Sequence, residues 1–183
     1  MLKIGQISLL VFTLGTSTFS YAQETRQHGA HEHGTGEINI AVEDNSLTID
    51  LSLPAMNVVG FEHPANTDLE KETLKKAAGT LKKASLLFKP SAAAQCTLAH
   101  SNVESALLAT DEAHSEHHEQ PEEHADFDAS YEFQCANPTA LTQIEVLLFQ
   151  EFSGTTRIKT QWISQNGQGG VELSPHSTTL ILR

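Results

Sequence analysis

The sequence has little positive charge. It contains 11 lysine and arginine residues against 23 aspartate and glutamate residues, which gives a net charge of −12 at pH 7 with histidine neutral. A surface of this charge repels nucleic acids and anionic membranes and attracts cations. Much of the negative charge falls in residues 111–128, so the rest of the chain is far less acidic. The composition therefore argues against a nucleic-acid partner and favours a cationic ligand.

The sequence also lacks an apolar run long enough to span a bilayer as an ordinary transmembrane helix. The run ISLLVFTLG follows Lys3 and precedes Ser20 and Ala22, which occupy the small-residue positions of a signal-peptide cleavage site. We therefore expect residues 1–22 to be a signal peptide and residues 23–183 to form one exported domain without a membrane span. An uncleaved anchor is the alternative. No cysteine lies directly after the run, which argues against a lipoprotein.

Cysteine is scarce, with only Cys96 and Cys135 in the chain. An even count in an exported protein favours a disulfide, and two free thiols are the alternative. The two residues bracket the stretch 111–126, so a bond between them would join both ends of that stretch to the folded body.

Catalytic motifs are missing as well. The sequence contains no HExxH, no GxSxG, no P-loop and no dinucleotide-binding fingerprint. The protein is therefore expected not to be an enzyme, and a metal-dependent hydrolase is the least favoured alternative. Catalysis needs rigidly positioned groups, whereas most of the histidines fall in segments without a hydrophobic pattern.

Alternating apolar residues predict most of the fold. EINIAV and LTIDLSL read as a β-hairpin with one buried face, and QCTLAHSNVE and DFDASYEFQC read as an antiparallel pair. Asn166-Gly167 predicts a hairpin turn between RIKTQWIS and VELS. Together the patterns predict an α+β fold, an antiparallel β-sheet or sandwich of seven to eight strands with one main helix.

The main helix has a clear beginning. Thr67 and Glu70 have the spacing of a capping box, and apolar residues recur at helical spacing from Leu74 to Phe88. Pro90 is expected to end the helix.

Histidine, by contrast, is frequent, with ten residues in the chain. One group, HGAHEH, lies in a polar N-terminal arm. A second lies in DEAHSEHHEQPEEHAD, residues 111–126, where four histidines and seven carboxylates occur without Leu, Ile or Val, so we expect a disordered loop. The candidate metal ligands are His28, His31 and His33 of the arm, His114, His117, His118 and His124 of the loop, and His63 beside Glu62.

Imidazole and carboxylate groups suit Zn²⁺, but imidazole clusters also bind Cu, Ni and Co. The ligand types therefore indicate a late first-row divalent metal. The HGAHEH arm is expected to be the tighter site, because it directly precedes a core strand. The loop is expected to collect several ions weakly and to release them as the pH falls through the histidine range near 6.5. A solubilising linker is the alternative for the loop.

Several stretches together resemble the ZrgA-type family of periplasmic zinc-uptake proteins. The most specific are HGAHEHG followed by the first hairpin and NVVGFEH; the cysteine pair around the loop, IEVLLFQEF and QGGVELSP also match. The resemblance covers essentially the whole mature chain. It implies a periplasmic protein that binds Zn²⁺ and assists its import, with His28, His31, His33 and, more weakly, His63 as ligands.

Two hypotheses follow from these observations. The first is an accessory protein that captures or buffers zinc and passes it to a zinc transporter or to that transporter's binding protein. The second is a structural or interaction protein of the envelope whose histidine-rich loop is incidental.

Overall fold

The computed structural model describes residues 32–108 and 125–182. The expected signal peptide at 1–22 lies outside these ranges. So do six of the eight candidate histidine ligands: His28, His31, His114, His117, His118 and His124. Of the predicted loop 111–126, the last two residues belong to the folded body. Ala125 is buried and Asp126 is the first residue of a strand, so the expectation of disorder was wrong for these two.

Nine strands and four α-helices lie in the described ranges, together with short 3-10 helices at Ala92–Ala94, Ala106–Leu108 and Pro138–Ala140. The strands are β1 (Thr35–Glu43), β2 (Ser46–Pro54), β3 (Phe88–Pro90), β4 (Cys96–Glu104), β5 (Asp126–Cys135), β6 (Gln143–Val146), β7 (Arg157–Ser164), β8 (Gly167–Leu173) and β9 (Thr179–Ile181). The helices are α1 (Ala55–Val58), α2 (Asp68–Leu81), α3 (Ala84–Leu87) and α4 (Leu148–Glu151). The α+β expectation is broadly met, but the predicted count of seven to eight strands was too low.

The large sheet has six strands in the order β4-β5-β2-β1-β7-β8. The predicted hairpins β1–β2 and β7–β8 and the predicted pair β4–β5 are confirmed as antiparallel. β1 pairs with β7 in parallel, however, so the sheet is mixed and the prediction of a purely antiparallel sheet was wrong. Parallel neighbours require a long connection. Here that connection spans most of the chain, which local patterns do not reveal.

A second sheet of three antiparallel strands, β3-β6-β9, completes the β structure. Its buried residues join those of the large sheet and of α2 in one hydrophobic cluster. Phe88 of β3 meets Tyr131 of β5 edge to face, with ring centroids 5.2 Å apart. β3 was missed by the sequence patterns because its three residues FKP are too short to show an alternation.

Helix α2 begins as predicted and ends early. The Thr67 side chain accepts from the Glu70 amide and the Glu70 side chain accepts from the Thr67 amide, so the capping box is confirmed. The Tyr131 hydroxyl donates to the Leu81 carbonyl at 2.7 Å, and a continuing helix would offer that carbonyl to its own next turn. The predicted run to Phe88 was therefore wrong: α2 stops at Leu81. Burial of Tyr131 also raises the pKa of its hydroxyl.

The disulfide lies at one end of the large sheet. Cys96 and Cys135 are directly opposite residues of β4 and β5 and are bonded, as predicted. The bond ties the edge strand β4 to its neighbour β5.

Replacing both Cys96 and Cys135 by serine should lower the free energy of unfolding. The bond closes a loop with a sequence separation of 39 residues, and the chain-entropy argument gives about 4 kcal/mol for a loop of this size. Urea unfolding of the double variant, compared with the oxidised protein, measures the difference. A loss below about 1 kcal/mol would show that this bond does not restrain the unfolded chain.

Candidate metal site

The site is organised around the residue that anchors the N-terminal arm to the body. Asn57 of α1 is 4% exposed, and its side-chain amide makes two hydrogen bonds. Its Oδ1 accepts from the Gly34 amide at 2.7 Å, and its Nδ2 donates to the Thr35 carbonyl at 3.1 Å. Both polar groups of one buried side chain are thus satisfied by the backbone where the arm enters β1. The last residues of the arm are therefore fixed relative to α1.

The start of β7 holds the same point from the other side. The Gly34 carbonyl accepts from the amides of Thr156 and Arg157 and from the Thr156 hydroxyl. Gly34 has φ +85°, a conformation that glycine adopts without strain. A Cβ on Gly154 would lie 2.6 Å from the Asn57 carbonyl oxygen, so the contact between α1 and this loop requires glycine. Backbone and side-chain bonds thus hold the arm on two sides.

One residue before Gly34, His33 meets the first of two carboxylates. Its Nε2 lies 3.3 Å from Oε1 of Glu62, and the two side chains are 56% and 19% exposed. Two ligands of a tetrahedral zinc ion, each about 2.0–2.2 Å from the metal, lie roughly 3.3–3.6 Å apart. The separation of His33 and Glu62 therefore fits two ligands of one ion.

The next residue, His63, faces the second carboxylate. Its Nδ1 lies 2.9 Å from the Pro64 carbonyl, a geometry in which the ring nitrogen donates. Its ring stacks on Phe61 with centroids 5.1 Å apart. Its Nε2 then points to Oε1 of Glu70 at 3.9 Å. A ring whose Nδ1 carries the proton has its lone pair on Nε2, which is the atom that can bind a metal.

Glu70 is itself held by the backbone. Its Oε2 accepts from the amides of Asn66 and Thr67 at 2.8 and 2.9 Å. These backbone hydrogen bonds, first that of Thr67 and then that of Asn66, lower the pKa of the Glu70 carboxyl. The carboxylate is therefore ionised and oriented, with one oxygen committed to the helix cap and the other toward His63.

The chemistry of these donors fits Zn²⁺, since imidazole nitrogen and carboxylate oxygen are both common zinc ligands. Within residues 32–108 and 125–182, however, no group of three or more His, Cys, Asp or Glu side chains is close enough together to hold a metal. The described part supplies two pairs, His33–Glu62 and His63–Glu70, and a four-ligand site needs further donors. Sequence reasoning named both histidines, and the structure places each of them beside a carboxylate.

Strand directions bring the roots of both histidine-rich segments to the same end of the large sheet. Glu37 near the start of β1 pairs with Ser52, which pairs with Asp128 near the start of β5. Adjacent strands are about 4.8 Å apart, so these two strand starts lie about 10 Å apart. Glu104, the last residue of β4, also pairs with Asp128. The arm, both roots of the predicted loop and the Glu62-His63 segment after α1 therefore share this end, opposite the disulfide.

The other two described histidines lie apart. His100 is exposed in β4, opposite Glu132, and His176 is exposed in the turn between Ser174 and Ser177. Neither makes an ion pair with a carboxylate inside the described ranges. That His63 is a metal ligand stays a prediction.

Sequence reasoning missed two residues that shape the candidate site. Asn57 was not among the candidate residues, and Glu70 was read only as part of a helix cap. An asparagine flanked by apolar residues, as in PAMNVV, indicates a buried amide that needs backbone partners. No sequence signal reveals that the capping carboxylate also faces His63, since that depends on the path of residues 59–66.

Comparison with known proteins gives a family for nearly the whole described chain. A family model described as ZrgA family zinc uptake protein matches residues 30–182. No curated protein matches the chain. Among the described helices, none is long and apolar enough to cross a membrane.

Replacing Asn57 by alanine should destabilise the fold and loosen the arm. The substitution leaves the Gly34 amide and the Thr35 carbonyl without their partners, and each buried polar group left unpaired costs about 1–3 kcal/mol. Urea unfolding measures the loss. Asn102→Ala is the matched control, because Asn102 is exposed on β4. Equal stability of the two variants would contradict the anchoring role of Asn57.

Proposed function

Because the chain belongs to the ZrgA family of zinc uptake proteins, we propose that it is a periplasmic accessory protein that captures Zn²⁺ and assists its uptake or buffers it. In this proposal zinc is the cargo, and the receiving partner is a zinc transporter or that transporter's binding protein. The protein acts by binding and release and not as an enzyme.

The observation that carries the proposal is the His33–Glu62 pair at the anchored root of the arm. Its ligand separation of 3.3 Å fits a tetrahedral zinc ion. His31 is two residues from His33, a distance of at most about 7 Å along the chain. His31 and His28 can therefore complete the ligand set, and anchoring through Asn57 lowers the entropy cost of ordering them.

The exposure of His33 at the root of the arm favours rapid exchange of a bound zinc ion. His33 is 56% exposed, so water and competing ligands can reach the imidazole. An ion with exposed ligands is released more readily than one in a closed structural site. Exchange is what a carrier requires, since the ion must pass to the next protein.

The histidine-rich loop adds a second class of site in this proposal. His114, His117, His118 and His124 would bind further ions weakly, and the surrounding carboxylates would attract cations and speed their encounter. Both ends of the loop attach near the arm, at Leu108 and Ala125, so ions collected there are released close to the His33–Glu62 pair.

A periplasmic location has two supports. The disulfide Cys96–Cys135 fits an extracytoplasmic protein, because cytosolic thiols are kept reduced. The pattern of residues 1–22 is that of a secretory signal peptide. The competing proposal, an envelope interaction protein with incidental histidines, predicts no zinc binding at micromolar concentrations.

Replacing His28, His31 and His33 together by alanine should remove the highest-affinity phase of zinc binding, because these residues supply the ligands opposite Glu62. Calorimetric titration of the oxidised mature protein measures it. His176→Ala is the control, since His176 is exposed and outside the pairs. An unchanged first phase in the triple variant would refute the arm site.

Deleting residues 111–123 should lower the number of zinc ions bound while leaving the thermal stability of the metal-free protein nearly unchanged. The segment contains no Leu, Ile or Val, so its removal takes no large apolar side chain from the core. Ala125 and Asp126 are kept because they belong to the folded body.

A variant with His114, His117 and His118 replaced by serine removes the same three histidines as the deletion but keeps every carboxylate of the loop, and it is the matched control. Equal losses of bound zinc in the two variants assign the sites to imidazole. Full zinc stoichiometry in the deletion variant would refute the loop as a collector.

A further inference from the structure

We propose that the outer edge of β8 is a dimer interface and that its occupant is β8 of a second copy of this chain, paired antiparallel about a two-fold axis at Gly170. The two large sheets join into one sheet of twelve strands, six from each copy. This inference concerns an interaction surface and requires neither zinc nor the proposed function.

Strand β8 has a regular edge that is open to pairing. It is the last strand of the large sheet, and within residues 32–108 and 125–182 no strand pairs with its outer side. Its pairing with β7 runs from Gly167 to Leu173 without a bulge, and five of its seven residues are exposed. A regular edge strand presents a row of N–H and C=O groups with which another strand can pair.

The other three sheet edges in the described part of the chain are protected against such pairing. The edge strand β4 has a bulge between Leu98 and His100. In the small sheet β3 has three residues and ends at Pro90, which has no N–H, and β9 also has only three residues. Bulges, prolines and short strands are devices that block pairing at an edge. β8 has none of them, and Glu172 is its only charged residue.

Two identical strands can satisfy each other's backbone when they pair antiparallel. The N–H and C=O groups that point away from β7 belong to every second residue of β8, and alternate residues also carry their side chains on the same face of the sheet. A second β8 can therefore pair only in registers that set residues of the same face opposite each other. In such a register the hydrophobic cores of both copies lie on one face of the joined sheet.

Charge favours the register centred on Gly170. It places Glu172 of each copy opposite Gln168 of the other, so that an amide N–H can donate to a carboxylate at both ends of the interface. A register centred on Glu172 would instead set two carboxylates directly opposite each other, which is destabilising. Gly170 on the axis has no side chain that could crowd its counterpart.

The apolar residues fit the same register. The Trp162 indole lies over Gly169, because a Cβ on that glycine would lie 2.9 Å from Nε1 and 3.0 Å from Cε2 of the ring. Val171 is 42% exposed, and the register sets it directly opposite Gly169 of the second copy on the same face. It therefore contacts the edge of the second copy's indole, and the two-fold axis repeats the contact. Burial of both valines stabilises the dimer.

The dimer leaves both candidate metal sites accessible. β8 ends at Leu173, which pairs with Ile158 near the start of β7, and the start of β7 pairs with the start of β1 where the arm enters the sheet. Because the two β8 strands run in opposite directions, the arms of the two copies lie at opposite ends of the joined sheet. Each copy therefore presents its own site to a partner.

The first test is Val171→Lys. A lysine on an edge strand opposes pairing, and the substitution also removes the contact with the indole. Leu98→Lys is the matched control, since Leu98 is 43% exposed and lies on the opposite edge strand, β4. Sedimentation equilibrium of the oxidised mature protein over a concentration series measures the dissociation constant of the dimer. We expect Val171→Lys to raise this constant at least about tenfold and Leu98→Lys to leave it unchanged. Circular dichroism of both variants checks that the fold is retained.

The second test probes the register with Gln168→Cys and Glu172→Cys. The two new thiols lie opposite each other across the interface only when the single variants are mixed. Within one variant the thiols of the two copies are four residues apart along the strands, about 13 Å. A short bis-maleimide should therefore give more covalent dimer in the mixture than in either variant alone. The native cysteines do not react, because they are bonded to each other.

The outcomes decide the inference without reference to zinc binding. A monomer at every concentration of the unsubstituted protein would overturn it, and so would a dimer that Val171→Lys leaves intact. Equal cross-linking in the mixture and in the single variants would overturn the register about Gly170. A dimer that is weakened by Val171→Lys but not by Leu98→Lys, with cross-linking favoured in the mixture, supports it.

Discussion

The position of His33 beside Glu62 depends on one buried side chain, Asn57. Its amide joins the entry of β1 to helix α1, and α1 leads directly into the segment that carries Glu62 and His63. Without this bridge, the start of β7 would still hold Gly34, but the direct link between the arm and α1 would be lost. The burial of Asn57 makes its two hydrogen bonds hard to replace by water. The position of His33 relative to Glu62 is therefore set by the hydrogen bonds that hold the backbone of the arm.

Most strands and the β4–β5 pair were predicted correctly, whereas the parallel pairing of β1 with β7 was not. Strands β1, β2, β5 and β7 alternate clearly, so their existence and buried faces follow from sequence. The parallel contact of β1 with β7 joins residues more than a hundred positions apart, and no hairpin turn or periodicity marks it. The end of α2 was missed for a related reason, since a tyrosine from a distant strand takes the Leu81 carbonyl.

In the candidate site, too, the sequence indicates the residue types but not the long-range contacts. Histidine and carboxylate content indicates metal binding by composition alone, and HGAHEH and GFEH mark two segments. That His33 meets Glu62, and His63 meets Glu70, requires α1 to turn the chain back toward the arm, where Gly34 and Gly154 permit the close backbone approach. Residue types thus predict the chemistry, while tertiary contacts decide which groups act together.

The two ends of the large sheet differ: one is closed by the disulfide, and the other carries the exposed histidines. This difference suits the proposed role in zinc binding and release. At one end a disulfide closes the edge strand onto its neighbour. At the other, the imidazoles of His33 and His63 are more than half exposed and lie opposite the carboxylates of Glu62 and Glu70. A fully enclosed four-ligand site would bind zinc tightly and release it slowly. Under the proposed function, a pair that supplies only part of a ligand set leaves coordination positions open, so an acceptor protein could bind the ion before the first ligands dissociate.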